Sequence, residues 1–278
     1  MVKGYYPTTI LEALECIIQS KDALLISGGT DVMVVKKQFP EIILLNGIKE
    51  MKKVVDTGDA IVIGAGASYR ELIENELVPK VLKQTMKQIA SPAIRSAGTL
   101  AGNICNASPA GDTLPVLYAL DAKVVCSRLE KGKKVERVVP INNFILGVRK
   151  IALHPDEMVT AIEIPKASYV RQTKFYYEKV GARAAEAISK LSFVGMYTLE
   201  TGQIADIRMA FGSVGVTALR FPDIENQLKG KTLKEISENV DEYVEAFMTN
   251  IHPIDDQRST AEYRCQICRN LIKDFLTA

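Results

Sequence analysis

Two stretches of small residues constrain this chain more than anything else in it. The first is Ile26-Ser27-Gly28-Gly29-Thr30-Asp31, and the second is the longer run over residues 98–112, Gly-Thr-Leu-Ala-Gly-Asn-Ile-Cys-Asn-Ala-Ser-Pro-Ala-Gly-Asp. Glycine has no Cβ and reaches φ > 0 at little cost, so the main chain in such runs can turn sharply and be approached closely. Backbone N–H groups presented this way form concavities for anions, phosphates included. Two such runs on one chain predict a dinucleotide held from two sides. Neither is a Rossmann fingerprint, because no GxGxxG opens a helix. Gly64-Ala65-Gly66-Ala67-Ser68 comes nearer, but it lacks the third glycine at the required spacing and reads as a turn leading into a helix.

Taken alone, the first run also fits an ordinary tight turn after a strand. The second is harder to explain structurally. Between Ser96 and Asp112 lie Gly98, Gly102 and Gly111, Asn103 and Asn106, and the hydroxyls of Thr99 and Ser108, a set too small-sided to build a core. The stretch reads as a long loop without secondary structure of its own, a kind of segment that tends to be functional. Asp112 keeps two open roles: accepting hydrogen bonds from ligand hydroxyls, or capping the helix predicted from Leu114.

The remaining patterns predict two domains, as a length of 278 residues also suggests. Thr9-Ile10-Leu11-Glu12 and Ser68-Tyr69-Arg70-Glu71 are capping boxes, the second opening a helix that ends near Pro79. Strands are expected at residues 23–26 and 41–45, with a helix over 32–37 between them. Asp56-Thr57-Gly58-Asp59 joins two β-branched runs as a hairpin would. Residues 114–120 read as a helix, and 122–126, 135–139 and 158–164 as strands, the last stopping at Pro165. Beyond residues 165–168 the organisation changes. Two long strand-like runs, 191–199 and 204–211, flank Thr201-Gly202-Gln203 as an antiparallel hairpin. Amphipathic helices are expected at 223–228, 232–248 and 256–276, which makes this part an α+β domain.

The chain carries a formal charge of +2, with acids and bases mixed along it, which argues against nucleic acid or an anionic membrane as partner. No apolar run is long enough to span a bilayer. Residues 1–7 lack the apolar centre of a signal peptide, so a cytoplasmic location is expected. Five cysteines, an odd number scattered over the chain, predict reduced thiols rather than a disulfide framework. Cys265 and Cys268 form one CxxC with no second pair, too few ligands for a structural zinc or an iron–sulfur cluster, so no metal is expected. His154 and His252 each precede a proline without an obvious catalytic partner, and no acid–base dyad is expected.

The ordered motifs resemble the FAD-binding (medium) subunit of the molybdenum hydroxylases, the family of xanthine dehydrogenase, aldehyde oxidoreductase and aerobic carbon monoxide dehydrogenase. The matching residues are Gly28-Gly29-Thr30-Asp31, Ile94-Arg95-Ser96-Ala97-Gly98-Thr99-Leu100-Ala101-Gly102-Asn103 and Ala107-Ser108-Pro109-Ala110-Gly111-Asp112. They continue through Leu120-Asp121-Ala122, Pro155-Asp156-Glu157, Gly181-Ala182-Arg183 and Met209-Ala210-Phe211-Gly212 to Asp255-Asp256-Gln257-Arg258-Ser259-Thr260-Ala261-Glu262-Tyr263-Arg264. Any one motif is modest; the ordered set is specific.

The resemblance implies an α+β fold: a two-lobed FAD-binding domain of the vanillyl-alcohol-oxidase (PCMH) type over residues 1–168, split near 57, then a smaller α+β domain over 172–278. It implies non-covalent FAD, with Ile26, Ser27, Gly28, Gly29, Thr30, Asp31 and Val32 wrapping the pyrophosphate together with Thr99, Ala101, Gly102 and Asn103. Ser108 and Asp112 would hold the ribityl and phosphate region, Ile162 would contact the flavin, and Lys190 matches a basic position near the isoalloxazine ring. The family's usual Gly-Gly before asparagine is Ala101-Gly102 here, which places a methyl group near the pyrophosphate. The implied partners are a molybdenum cofactor-binding large subunit and a small subunit with 2Fe–2S clusters, in a heterotrimer. Electrons would pass from those clusters to FAD and on to NAD+, with xanthine dehydrogenase the leading type. A self-contained FAD-dependent oxidoreductase and a non-catalytic nucleotide-binding module are the competing classes.

Overall fold

The computed structural model describes residues 2–34, 39–172, 174–183 and 186–278. The chain opens with β1 (Lys3–Tyr5), α1 (Ile10–Gln19), β2 (Leu24–Ile26) and β3 (Glu41–Leu44). Thr9 caps α1 by accepting the Glu12 N–H, but the Glu12 carboxylate takes the Thr8 N–H at 2.7 Å, so only half of the expected capping box forms. β1 and β2 flank β3 in a three-stranded parallel sheet. Residues 31–34 form a turn, and the rest of the helix expected over 32–37 lies outside the described residues.

The predicted hairpin forms as β4 (Val54–Asp56) and β5 (Ala60–Gly64), its turn fixed by the Gly58 N–H donating to Asp56 Oδ1 at 2.8 Å. Ser68 and Glu71 make a complete capping box at the start of α2 (Tyr69–Glu74). That helix stops before Pro79 because the Asn75 side chain accepts the Leu77 N–H at 2.9 Å and turns the chain away. Four further helices follow: α3 (Lys80–Lys87), α4 (Pro92–Ala97), α5 (Leu100–Asn106) and α6 (Thr113–Ala119). Next come β6 (Lys123–Glu130), β7 (Lys133–Pro140), α7 (Ile141–Phe144), the short pair β8 (Ile145–Gly147) and β9 (Lys150–Ile151), and β10 (Glu157–Pro165). β10 is the centre of an antiparallel sheet ordered β4-β5-β10-β6-β7, where Ile162 lies between Ile63 and Val124.

The C-terminal part holds β11 (Lys174–Val180), β12 (Leu191–Glu200), β13 (Gln203–Gly212) and β14 (Leu219–Arg220) in one antiparallel sheet, in that order. The β12–β13 turn uses Thr201 at φ +51° and Gly202 at φ +84°, as its sequence predicts. Helices α8 (Pro222–Leu228), α9 (Leu233–Glu238), α10 (Val240–Met248) and α11 (Ala261–Thr277) follow. The single helix expected over 232–248 breaks at Asn239, which leaves helical dihedrals and donates its side-chain amide to the Glu235 carbonyl at 2.9 Å. The core under this sheet is aromatic: Phe193 lies 5.2 Å from Phe211 and 5.8 Å from Phe275, ring centroid to ring centroid.

By compactness the chain forms two units. The first takes the chain up to Pro79, Ala90–Ala107 and Asp121–Lys166; the second takes Lys80–Ile89, Ser108–Leu120 and Ala167–Ala278. Helices α3 and α6, which the sequence puts within residues 1–168, group by compactness with the second unit, and the reason lies in α6. All its residues, Thr-Leu-Pro-Val-Leu-Tyr-Ala, are buried and none is charged, so it must be covered on every side.

Candidate cofactor site

In the first unit the two glycine runs lie against each other. Gly28 follows β2, and a Cβ built on it would sit 2.7 Å from the Ala97 carbonyl carbon and 3.0 Å from Gly98 Cα. The absent side chain is therefore occupied by the other loop's main chain. Gly29 takes φ +70°, the left-handed conformation that glycine adopts cheaply, and aims the chain into the turn of residues 30–34. Among the described residues, no protein acceptor meets the N–H groups of Gly28, Gly29, Thr30 or Asp31.

The second run contains helix α5, so it is not the structureless loop the sequence suggested. Thr99 caps that helix by accepting the Gly102 N–H on its hydroxyl at 3.0 Å, and Leu100 and Ile104 anchor it in the core. Ala101 is 5% exposed: its methyl group lies inside the fold, and the departure from the family's glycine pair adds nothing to the outer face. Gly102 and Asn103 lie on the more open side of the turn. A Cβ at Gly102 would meet only Thr99 Oγ1, at 3.0 Å.

Asp31 ties the two runs to a third segment. Its carboxylate accepts from Asn106 Nδ2 at 3.2 Å and from Arg149 Nη1 at 3.1 Å. The Arg149 N–H in turn donates to the Ala107 carbonyl at 3.0 Å. Arg149 at φ +57° and Ala107 at φ +44° both hold the left-handed conformation without being glycine, strain that collects at functional sites. Sequence reasoning missed Arg149, and nothing in its local pattern marks it. Ile162 lies in β10 with its side chain buried in the sheet core at 0% exposed.

The second unit holds Ser108, Asp112 and Lys190. Ser108 Oγ accepts the Ala110 N–H at 3.3 Å and shapes the turn into α6. Asp112 stands at the N-terminus of α6 but makes no side-chain cap there, which removes the capping role. Its carboxylate instead receives Lys179 Nζ at 2.6 Å and the Ser189 hydroxyl. The Lys179 side chain is 7% exposed and also donates to the Gln88 carbonyl at 3.1 Å. A buried ammonium and carboxylate satisfied this fully are held in a fixed geometry. Burial pushes the nearby Tyr177 phenol well above its ordinary pKa, and the Asp112 charge adds to the effect. Lys179 and Ser189 are far from Asp112 in sequence, so no local signal could have paired them. Lys190 is half-buried, with its ammonium 5.2 Å from the centre of the Tyr263 ring, within cation–π range.

These residues fit a dinucleotide. The main-chain N–H groups of Gly28, Gly29, Thr30 and Asp31, unpartnered among the described residues, suit a pyrophosphate, and the exposed face at Gly102 leaves it room. Among the described residues there is no group of three or more His, Cys, Asp or Glu able to hold a metal, and no helix long and apolar enough to cross a membrane.

The fold is mixed α and β, and comparison with known families gives its class. A family model for the FAD binding domain in molybdopterin dehydrogenase matches residues 1–167, and one for the CO dehydrogenase flavoprotein C-terminal domain matches residues 176–278. The chain belongs to this family, the FAD-binding medium subunits of the molybdenum hydroxylases, and is an oxidoreductase subunit. It is 26% identical to the xanthine dehydrogenase FAD-binding subunit of Escherichia coli O157:H7, over 97% of this chain and 92% of that protein. It is 28% identical to the carbon monoxide dehydrogenase medium chain of Hydrogenophaga pseudoflava, over 98% and 94%. A solved carbon monoxide dehydrogenase structure from the same organism superposes with a TM-score of 0.89 at 26% identity, covering 100% of this chain and 96% of that one.

Proposed function

We propose that this chain is the electron-transfer flavoprotein of a three-subunit molybdenum hydroxylase of the xanthine dehydrogenase type. Electrons from substrate oxidation at a molybdenum cofactor in a large subunit reach it through the 2Fe–2S clusters of a small subunit, and it passes them to NAD+. The observation that carries the reading is the pair of abutting glycine loops, with four main-chain N–H groups free to bind a pyrophosphate. The similarity to the xanthine dehydrogenase FAD-binding subunit over nearly the whole chain supports the choice of enzyme type.

FAD, when bound, would take up two electrons one at a time, with protons from solvent, and release them together as one hydride, chemistry that belongs to the cofactor. The protein's own work is binding and orientation. The N–H groups of Gly28, Gly29, Thr30 and Asp31 and the first turn of α5 at Thr99, Gly102 and Asn103 hold the pyrophosphate. Ser108 and Asp112 hold the ribityl and phosphate region, with Asp112 fixed by Lys179 and Ser189. Lys190 supplies a positive charge toward the ring system. No acid–base residue is required, and substrate selectivity resides in the large subunit.

The test is an absorption spectrum of the purified chain, release and identification of any bound chromophore, and NADH oxidation with a dye acceptor. Non-covalent FAD at about one per chain, with NADH–dye turnover but no oxidation of organic substrates by this chain alone, is the expected result. A colourless protein that takes up no added FAD would overturn the function. A flavinated protein reduced by its partner subunits but never oxidised by NAD+ would overturn the acceptor.

A further inference from the structure

The C-terminal run from Asp255 to Arg264 has no part in the function so far, yet its Arg264 side chain reaches Ser213, whose N–H bonds to the turn that carries Asp112. Arg264 is 3% exposed. It donates from Nη2 to Asp256 Oδ1 at 2.7 Å, and from Nη1 to the carbonyls of Ser213 at 3.2 Å and Ile254 at 3.3 Å. Asp256 is itself held by the N–H groups of Arg258 at 2.8 Å and Ser259 at 3.1 Å. Ser213 is the hub. It adopts φ +64°, rare for a residue with a side chain, directly after Gly212, the last residue of β13.

What Ser213 gains from the strained conformation is two contacts. Its N–H donates to the Pro109 carbonyl at 3.0 Å, inside the run between Ser108 and Asp112. Its hydroxyl donates to the Ser189 carbonyl at 3.3 Å, and the Ser189 hydroxyl holds Asp112 Oδ1. A continuous chain of hydrogen bonds therefore runs from Asp256 through Arg264, Ser213 and Ser189 to Asp112. All of it lies within the second unit.

We infer that Arg264 and Ser213 are positioning residues for FAD: they set the Ser108–Asp112 turn and the Asp112 carboxylate in the geometry that receives the ribityl and phosphate region. The inference rests on the proposed role of Ser108 and Asp112. Arg264 holds the Ser213 carbonyl, and Ser213 in turn holds Pro109 and Ser189. Strain at Ser213 persists because the surrounding bonds over-determine it, the usual situation for a residue held ready for a ligand.

Positioning and plain stabilisation predict opposite results for one substitution. Ser213→Gly keeps the N–H bond to Pro109, relieves the left-handed strain, and deletes only the hydroxyl bond to Ser189. The full chain, deflavinated, is titrated with FAD by flavin fluorescence and melted without FAD, alongside Arg264→Lys and the parent. For Ser213→Gly, we expect FAD affinity to fall by about 2- to 10-fold, the loss of one hydrogen bond, with an unchanged or higher melting temperature. Arg264→Lys keeps the charge but loses the fork that spans Asp256 and Ser213, and it weakens FAD as well. The visible circular dichroism of bound flavin changes in both variants. If both variants bind FAD as tightly as the parent, the inference falls and the network is structural only. If the parent itself takes up no FAD, the function proposed above falls first, and this inference falls with it.

Discussion

The carbonyl group of Ala97 fills the place where a side chain on Gly28 would stand, with its carbon 2.7 Å from that Cβ position. The glycine is thus needed for the fold before it is needed for a ligand: it lets two loops nearly seventy residues apart share one surface. Gly28→Ala should cost about 3 kcal/mol, the range of a forced overpacking, and strip the protein of FAD. Melting of the deflavinated chain and flavin content after purification both read it out. A stable, flavinated variant would mean that the loops can separate without consequence.

Gly102 is the opposite case. Its Cβ position touches only Thr99 Oγ1, so a larger residue has space as far as the protein is concerned. Gly102→Val should leave the melting temperature of the deflavinated protein close to the parent's, because valine is no worse than glycine in a helix. Its isopropyl group would enter the volume assigned to the pyrophosphate, and FAD binding should be lost. A fully flavinated Gly102→Val protein would show that this volume is assigned wrongly.

Lys179 is the cation of a buried pair, and its removal leaves Asp112 charged and uncompensated. Lys179→Met should destabilise the deflavinated protein by about 3–5 kcal/mol in urea denaturation. Lys179→Met with Asp112→Asn should recover part of that stability without recovering FAD affinity. Full recovery of FAD binding in the double variant would remove the Asp112 carboxylate from the site.

Asp256 gives the protein an acid limb. The hydrogen bond from Arg264, aided by the N–H groups of Arg258 and Ser259 and by the Arg264 charge, lowers its carboxyl from an ordinary 3.8 to about 2. A carboxyl lowered in the folded state releases its proton more readily there than in the unfolded chain. Its stabilisation is therefore complete above about pH 4 and is lost between about pH 4 and 2. Asp256→Asn should be less stable than the parent at pH 6, and the difference should shrink across that window. A difference that stays constant from pH 6 to pH 2 would contradict the pairing with Arg264.

Local chemistry was readable in the sequence. The Ser68–Glu71 capping box, the turn at Asp56–Gly58 and the Thr201-Gly202 hairpin each depend on residues within a few positions of one another, and each forms as expected. Helix α5 escaped because Leu100-Ala101-Gly102-Asn103-Ile104-Cys105-Asn106 looks too small and glycine-bearing to be helical. Burial of Leu100 and Ile104 and the Thr99 cap decide it instead. The candidate site was half legible. Gly28 and Asp112 stood out by type, but what each one touches, Ala97 and the Lys179–Ser189 pair, comes from distant strands and loops. Ile162 comes from the family pattern alone, and what its buried side chain lies between, Ile63 and Val124 of neighbouring strands, likewise comes from distant segments.

Helix α6 also sets an order of events at the ribosome. Its uncharged residues emerge roughly seventy positions before β12, the strand it packs beside, which at about 5–20 residues per second is a delay of several seconds. Throughout that interval an uncharged helix, buried in the finished fold, has no sheet to lie on. The nascent chain must shelter it in provisional contacts or in a chaperone, and slower translation between α6 and β12 should lower the yield of native protein while leaving the stability of molecules already folded untouched.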